Sequence, residues 1–531
     1  MSVVDDVRQA VRGEQGLSTT LTLASGAVAA GVLFPILWLV LRGVSIGPQT
    51  AVSLLFGPRM AEVLFNSVVL VVLVTAASAA VGVTFAVLTV QTDLPFRRFW
   101  TVVAALPLVV PSYIGAFTFS IAFSSRGGLT DALAAVGLGN TPPIYGLDGT
   151  VLVMTLFTYP YVFLTTRAAL VSFDTSLVEA ARSLNHTRLQ AFRKVTLPQV
   201  LPGIAAGSLL VALYTLSDFG TPAIMHFDVF TRMIYVNAYD RNFAALLSLQ
   251  LLVVTLVIIT IENSIEAGDE SGYVSTRART GTTFHLGWWT LPALLFCAAV
   301  AFLALVLPVL ILFSWMLRPQ PGYGGFEFQW SYMLNSVGTA TGAAIAATLL
   351  ALPVAYLSGR GGGRLARVFE RGTYVGYAAP GIVIGFALVY FGQSYAPFLY
   401  QTLPLLLFAY VVRFIPQAVG AVRSSVLQVD PKLSEAARTL GHTRVEVFRK
   451  VTLPLIVPGI VSGAALVFLT TMKELPATLL LRPTEFETLT TYIWRVREAA
   501  YYGDAAIPAL VLVAVSGVSM LILLRGGTDG T

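Results

Sequence analysis

The sequence predicts an all-α polytopic membrane protein of about twelve transmembrane helices, arranged as two tandem halves of six. Of 531 residues, 56% are hydrophobic and only 11% are charged, whereas soluble domains are about one quarter charged. Apolar runs long enough to cross about 30 Å of hydrocarbon recur along the chain. A polar 26-residue segment also occurs twice, at residues 179–204 and 435–460, with 18 identical positions. Together these features exclude a soluble globule and indicate an internal duplication.

The spans are placed by apolar runs of roughly 20 residues. The first run suits a retained anchor better than a cleaved signal. The single cysteine, Cys297, lies in an apolar run and excludes both an internal disulfide framework and a multi-cysteine metal site. The predicted spans lie near 22–42, 63–90, 99–123, 150–170, 199–220, 242–262, 288–316, 333–357, 372–392, 402–422, 455–475 and 505–524.

The distribution of Lys and Arg predicts the orientation, because cytoplasmic loops carry an excess of both. This also accounts for the net charge of +6 without nucleic acid. The external loop containing Arg482, Arg495 and Arg497 fits this rule least well. We expect a multi-pass protein of the cell membrane with both termini cytoplasmic. The predicted cytoplasmic cations are Arg97, Arg98, Arg182, Arg188, Arg193, Lys194, Arg360, Arg364, Arg367, Arg371, Lys432, Arg438, Arg444, Arg449 and Lys450.

A long polar stretch separates the two halves. It predicts a first domain at 1–262, a cytoplasmic linker at 263–286 and a second domain at 287–531. Two shorter matches between the halves accompany the long repeat. Asn66-Ser-Val matches Asn335-Ser-Val, and Pro107 roughly matches Pro380. Because each half has an even number of spans, we expect both to insert the same way up.

Each repeated segment predicts a helical elbow, at 174–198 and 430–454. In the second copy Asp430 suits a helix N-cap, Pro431 the first helical position, and Gly441 the left-handed residue after the helix end. The first copy has Asp174 and Asn185 in the corresponding places, and Asn is the next most tolerant residue of the left-handed conformation.

A second short helix is predicted from Thr187 and from Thr443. Gln190 and Glu446 stand three residues later and complete a capping box in both copies. The following Leu-Pro and Pro-Gly pairs predict a break before the next span. An amphipathic loop on lipid headgroups would not need this fixed spacing. A DNA-binding helix-turn-helix would not be tethered between spans, so docking onto a partner protein is favoured.

The spacing Glu-Ala-Ala, turn residue, Leu-Pro resembles the EAA loop of binding-protein-dependent ABC importer permeases. The resemblance implies two MetI-like permease domains, and a coupling helix in each elbow that docks on an ATP-hydrolysing subunit. It implies two copies of that subunit and an extracytoplasmic substrate-binding protein as partners, besides membrane lipid, with no nucleic acid. The coupling residues so implied are Glu179, Ala180, Ala181, Asn185, Leu197, Pro198, Glu435, Ala436, Ala437, Gly441, Leu453 and Pro454.

The segments SDFGTPAIM from Ser217 and KELPATLLLRP from Lys473 resemble fused ferric-iron permeases, which implies ferric iron as cargo. Thiamine, a phosphonate or another small solute are alternatives within the same architecture. An ion-coupled secondary transporter and a polytopic membrane enzyme are alternatives outside it. The sequence contains no GxxxxGK[ST] motif. We therefore expect a transport subunit that is not an enzyme and holds no cofactor, with ATP and Mg bound by the partner ATPase.

Ionisable residues near span ends are the candidates for the transport pathway. Asp218, Lys473 and Glu474 lie about 20 residues beyond the Leu-Pro of each half. The alternative is that Lys473 and Glu474 pair with each other or snorkel to the outer interface. His186 and His442 in the elbow turns and His226 in an outer loop each stand alone. The sequence therefore predicts no metal site.

Overall fold

The computed structural model describes residues 19–124, 144–172, 178, 181, 183–185, 187–266, 284–317, 327–361 and 363–526. Regular secondary structure within these residues is helical, apart from a β-bridge between Thr92 and Phe284. The helices of the first half are α1 Thr19–Ser45, α2 Pro48–Leu55, α3 Pro58–Gln91, α4 Arg97–Ala105, α5 Ser112–Ala122, α6 Gly146–Ser172, α7 Arg188–Ala191, α8 Leu197–Ser217, α9 Gly220–Ile224, α10 Phe230–Val236 and α11 Arg241–Glu266.

The second half follows a similar order. Its helices are α12 Thr290–Ala301, α13 Leu307–Leu317, α14 Trp330–Gly361, α15 Arg364–Ala378, α16 Gly381–Tyr395, α17 Leu403–Gln428, α18 Pro431–Thr439, α19 Arg444–Val447, α20 Leu453–Met472, α21 Pro476–Leu481, α22 Leu489–Glu498 and α23 Ala506–Gly526. Short 3₁₀ turns occupy Leu106–Val109, Gly287–Trp289 and Tyr502–Ala505, and π turns occupy Phe192–Thr196, Phe302–Val306 and Phe448–Thr452.

Ten helices of the described residues are long and apolar enough to span a membrane, in agreement with ten of the twelve predicted spans. The spans predicted as single runs at 99–123 and 372–392 are instead bent pairs. The segments Arg97–Val109 and Ser112–Ala122 meet at 91°, and Arg364–Gly376 and Gly381–Tyr395 meet at 93°. The sequence predicted a span at each place, and the described residues hold up to twelve spans if each bent pair is counted as one.

A proline stands at each bend. Pro111 and Pro380 are the N-cap residues of α5 and α16, with ψ of 136° and 147°. Because a proline also disfavours helix in the residue before it, the chain leaves the helical conformation at both points. The two prolines are 269 residues apart, as are Asn66 and Asn335. Pro111, not Pro107, is therefore the counterpart of Pro380.

Contacts divide the chain into two compact units, and these units do not coincide with the two repeated halves of the sequence. One unit contains α1 and α14 to α22, the other contains α2 to α13, and α23 is divided between them at residue 513. In the first unit the Trp38 ring of α1 lies 4.5 Å from Tyr395 of α16. In the second, Trp315 of α13 lies 5.1 Å from Phe117 of α5. The first span of each half thus packs with helices of the other half. The predicted domain boundaries are those of the sequence repeat, and they stay a prediction.

The repeated Asn-Ser pair, Asn66-Ser67 and Asn335-Ser336, has the same structural role in both units. The Asn66 amide donates to the Asp228 carbonyl at 3.1 Å, and the Ser67 hydroxyl accepts from the Phe230 N–H at 3.1 Å. In the second half the Asn335 amide donates to Glu487 at 2.9 Å, and Ser336 accepts from Leu489 at 2.8 Å. The pair thus fixes the start of α10 and of α22 and satisfies a backbone donor at each helix start.

The C-terminal end of the linker is attached to the loop between α3 and α4. Phe284 N–H donates to the Gln91 carbonyl at 2.7 Å, and Leu286 N–H donates to the Asp93 carboxylate at 2.8 Å. The His285 ring lies 2.9 Å from the same carboxylate. The Leu286 amide first, and His285 second, hold the pKa of Asp93 below its usual value. Residues 267–283 of the predicted linker lie outside the described part of the chain.

Candidate functional site

The second elbow has the capped helix that its sequence predicts. Asp430 accepts a hydrogen bond from the Lys432 N–H at 2.9 Å, and Pro431 is the first residue of α18. Gly441 follows the helix end with φ of +88°, in the left-handed region. The Gly441 and His442 N–H groups donate back to the Arg438 and Ala437 carbonyls, at 3.0 and 3.3 Å. The predictions for Asp430, Pro431 and Gly441 are confirmed.

The capping box that starts α19 is also present. Glu446 N–H donates to the Thr443 hydroxyl at 3.3 Å, and the Glu446 carboxylate accepts from the Thr443 N–H at 2.9 Å and its hydroxyl at 3.0 Å. The backbone hydrogen bond, followed by the hydroxyl, lowers the pKa of Glu446. The ring of His442 and the ammonium of Lys450 lie 3.8 and 3.9 Å from this carboxylate.

The first elbow is described from Ala181 onward, with gaps at Arg182 and His186; Asp174, Glu179 and Ala180 lie outside the described residues. Asn185 has φ of +63°, which confirms the left-handed turn. Thr187 N–H donates to the Gln190 side chain at 3.0 Å, and Gln190 N–H donates to the Thr187 hydroxyl at 3.3 Å. The capping box of the first elbow is therefore confirmed as well, with the Gln190 amide in place of the Glu446 carboxylate.

The predicted break at Leu-Pro is wrong in both elbows. The helix runs from Arg444 through Met472, with Pro454 as the second residue of α20 and Pro458 inside it. The segment FRKVT immediately before Leu-Pro forms a π turn in each copy, at 192–196 and 448–452. A wider turn changes the hydrogen-bond pattern, so a proline without an N–H is accommodated where it would otherwise break the helix. Each elbow is thus joined to its span without interruption.

The outer surface of the second elbow exposes leucines beside the Glu-Ala-Ala residues. Leu433 and Leu440 of this elbow are 48% and 80% exposed, and Glu435 and Ala436 beside them are exposed too. Ala437 is buried and packs the helix inward. In the first elbow Leu184, the counterpart of Leu440, is 75% exposed. None of these three leucines was among the residues predicted to couple the permease to its partner.

Two carboxylates, the buried Glu474 and the half-buried Asp218, occupy equivalent positions at the ends of α20 and α8. Glu474 is 5% exposed, and its Oε1 lies 2.9 Å from Nη1 of Arg413 in α17. The same oxygen accepts from the Ala477 N–H of α21 at 3.1 Å. A Cβ built on Gly381 would collide with both Arg413 and Glu474, so the first residue of α16 packs directly on the ion pair. One carboxylate therefore connects four helices.

In the first half, Asp218 connects the corresponding helices through neutral hydrogen-bond partners. Its carboxylate accepts from the Ser112 hydroxyl at the start of α5, at 2.9 Å, and from the Gly220 N–H of α9 at 3.0 Å. The Ser112 hydroxyl also lies 2.9 Å from the Tyr214 hydroxyl. Phe157 of α6, buried at 3% exposure, stands 256 residues before Arg413, in the corresponding position. The ion pair is thus specific to the second half.

Arg413 was missed by sequence reasoning, although a cation within the apolar run 402–422 was a signal for it. Lys473 is half-buried beside Glu474. His226 has φ of +55°, and its ring lies 5.5 Å from that of Tyr145. Among the described residues, no group of three or more His, Cys, Asp or Glu side chains is placed to hold a metal ion.

The family of this chain follows from its similarity to known proteins. The family model described as "binding-protein-dependent transport system inner membrane component" matches twice, at residues 78–320 and 351–525. The chain belongs to this family. Its membership makes it a multi-pass inner-membrane permease of an importer, and the duplicated elbow lies within both matched regions.

The curated relatives include two ferric-iron permeases. The "Fe(3+)-transport system permease protein FbpB 2" of Haemophilus influenzae is 32% identical over 513 residues, which is 95% of this chain and 98% of that protein. The "ferric transport system permease protein FbpB" of Actinobacillus pleuropneumoniae is 24% identical over 504 residues, 89% and 72% of the two chains. The predicted resemblance of this permease to the fused ferric-iron type is confirmed.

A diacetylchitobiose uptake permease, DasC of Streptomyces coelicolor, matches over a shorter length. It is 29% identical over 194 residues, 36% of this chain and 69% of that protein. The match to this permease therefore covers about one half of the chain, whereas the matches to the two ferric-iron permeases cover both halves.

Proposed function

We propose that this permease is the transmembrane subunit of an ATP-driven importer of ferric iron, which an extracytoplasmic binding protein delivers. The relative with 32% identity over 95% of the chain carries this cargo in its name. Family membership supports dependence on a binding protein. The chain itself supplies the path and the coupling surfaces, while a separate subunit binds and hydrolyses ATP with Mg.

The observation that supports coupling most directly is the uninterrupted helix from elbow to span. In the second half it extends from Arg444 to Met472. Two copies of an ATPase subunit would dock, one on each elbow, on the exposed leucines and the Glu-Ala-Ala face. Their ATP-driven closure would displace the elbows, and the unbroken helices α8 and α20 would carry that displacement to the pathway. Such coupling requires that the ATPase bind the two states of the permease with different free energies.

The orientation belongs to the same proposal. Both elbows, the linker and both termini lie in the cytoplasm, while α10 and α22 lie towards the binding protein. The basic loops agree with this arrangement, since Lys and Arg are enriched on the cytoplasmic side.

We further propose that Asp218, Lys473 and Glu474 border the transport pathway. The two carboxylates hold the starts of α5 and α16, the helices that follow the sharp bends, and would thereby shape the path around the cargo. If so, Lys473→Gln should alter the rate of iron uptake while the unfolding temperature stays unchanged. Unchanged uptake in Lys473→Gln, Asp218→Asn and a Glu474→Gln/Arg413→Gln pair would contradict the assignment.

The test of cargo and energy source is uptake of radiolabelled ferric iron into proteoliposomes that contain the permease with its ATPase, supplied with its binding protein. We expect uptake that requires ATP and is abolished by chelation of the iron. If another solute, such as thiamine or a phosphonate, stimulated the ATPase through its own binding protein while iron did not, the importer would stand and iron would be rejected. Uptake of iron driven by an ion gradient without ATP would keep the cargo and reject the ATP-driven importer.

A further inference from the structure

Three arginines form a charged face on α15, the helix that links the span α14 to the buried helix α16. Arg364, Arg367 and Arg371 are spaced i, i+3 and i+7, so on a helix they project within an arc of about 60°. All three are exposed. The opposite side of the helix is buried, with Ala366 at 5% and Thr373 at 0% exposure.

The guanidinium groups of this face are not used by the fold. In the described part of the chain none of the three has an ion-pair partner. The acidic residue of the same helix, Glu370, is directed elsewhere and lies 3.0 Å from Arg423 of α17. Arg360, in the last turn of α14, adds a further positive charge just before this helix. The N-cap of α15 is Gly363, which has no side chain to satisfy the first N–H groups, so the helix end attracts anions as well.

Packing places these arginines towards one end of the span. The Phe369 ring of α15 packs on Gly26 of α1, and Gly372 faces Ala29, so residue numbers rise together and the two helices run in the same direction. Arg364 and Arg367 thus lie level with the first turns of α1, at the end assigned to the cytoplasm under the proposed orientation. Exposed Val368 and Tyr374 lie among and beyond them, at 60% and 42% exposure. Cations near a span end with apolar side chains beyond them match the boundary between headgroups and acyl chains.

We propose that this face of α15 is a binding site for acidic phospholipid headgroups of the cytoplasmic leaflet. The planar guanidinium binds a phosphate through two parallel hydrogen bonds, and three such groups on one face hold a negatively charged headgroup at the level of the bilayer surface. The corresponding helix of the first half, α4, carries only the adjacent Arg97 and Arg98. Adjacent residues point about 100° apart on a helix and do not make a shared site, so α4 carries no equivalent of this face.

The test is the retention of phosphatidylglycerol by the full-length permease, purified from mixed phosphatidylglycerol and phosphatidylcholine and measured by native mass spectrometry. We expect the Arg364→Gln/Arg367→Gln/Arg371→Gln variant to retain phosphatidylglycerol about tenfold less well than the wild type, with phosphatidylcholine unaffected. The matched variant Arg97→Gln/Arg98→Gln should behave as the wild type. Equal retention by the triple variant and the wild type would overturn the proposal.

Two further arms separate the alternatives. Soluble glycerol phosphate, which has the headgroup charge without acyl chains, should not displace the lipid at equal concentration; displacement would assign the site to a free phosphate. A triple Lys variant should keep part of the retention, because charge remains while the bidentate geometry is lost. Full loss in the Lys variant, with unchanged unfolding temperature, would show that charge alone does not hold the lipid and that the bidentate geometry of arginine is required. The orientation used here rests on the proposed function, but lipid retention is read without transport and can fail independently of it.

Discussion

In the second half of the chain Glu474 lies against a guanidinium, whereas Asp218, in the same place of the first half, is held by a serine hydroxyl and a backbone amide. Both carboxylates connect the end of a long span to the start of the buried helix α5 or α16. The duplication has therefore kept the connection while its chemistry has diverged. A carboxylate with neutral partners tolerates loss of its charge, and one paired with a buried cation does not, because the partner would remain charged and unpaired.

The largest difference between the halves should appear when each carboxylate is made an amide. Glu474→Gln leaves Arg413, with its side chain 16% exposed, without a counter-charge, and we expect a loss of about 3–5 kcal/mol of unfolding free energy. Asp218→Asn keeps most hydrogen-bond partners and should cost about 1 kcal/mol. Unfolding in detergent, followed by tryptophan fluorescence, measures both.

The double variant Glu474→Gln/Arg413→Gln serves as the control for that comparison. Because it removes both charges, it should recover most of the stability lost in Glu474→Gln. Equal losses in Glu474→Gln and Asp218→Asn, or no recovery in the double variant, would show that the ion pair does not distinguish the two halves.

A smaller difference is expected at the turns of the elbows. Gly441 and Asn185 both have positive φ, but glycine carries no penalty there while asparagine carries some. Gly441→Ala should cost about 1–2 kcal/mol, whereas Asn185→Gly should stabilise its elbow by a few tenths. Amide hydrogen exchange of the elbow helices measures local opening at each turn. A loss in Gly441→Ala that is several times larger than the gain in Asn185→Gly would fit. Destabilisation by Asn185→Gly would contradict the assigned role of the turn.

The smallest effect is the response of the two capping boxes to pH. Hydrogen bonds lower the pKa of Glu446, so the stabilisation of the second elbow is present above the ordinary glutamate pKa and is lost as the pH falls through the lowered value. Gln190 does not titrate, so the first elbow should not respond. Amide exchange of α19 and α7 on acidification, corrected for intrinsic rates, provides the measurement. A Glu446→Gln variant that still shows the acid response would assign it to another group.

The elbows were predictable from sequence because caps, turn residues and capping boxes depend on local chemistry. Asp430, Gly441 and the Thr443–Glu446 pair need only their immediate neighbours to adopt these roles. The spans were equally predictable, since length and apolarity determine them. The bends at Pro111 and Pro380 were not, because hydropathy over a window does not register a change of direction inside an apolar run.

Long-range packing could not be predicted from the sequence for a different reason. Nothing local indicates that α1 would pack with α15 and α16, or that Arg413 would face Glu474 across 61 residues of chain. The π turns were also beyond the sequence. The Leu-Pro spacing alone predicted a break in the helix, whereas a π turn accommodates the proline and the helix continues. The candidate coupling surface was found by its Glu-Ala-Ala pattern, while its exposed leucines required the structure.

The central claim, that both elbows dock an ATPase subunit, is tested most directly by the stoichiometry of copurification. Wild-type permease would be purified with its ATPase beside Leu440→Asp, Leu184→Asp and the double variant, and the bound copies counted by native mass spectrometry. Both leucines are exposed, so the fold should tolerate the change. We predict two copies on the wild type, weakened binding in each single variant and none in the double variant, because a charge on each contact surface opposes docking. Two copies bound to the double variant as tightly as to the wild type would contradict the account.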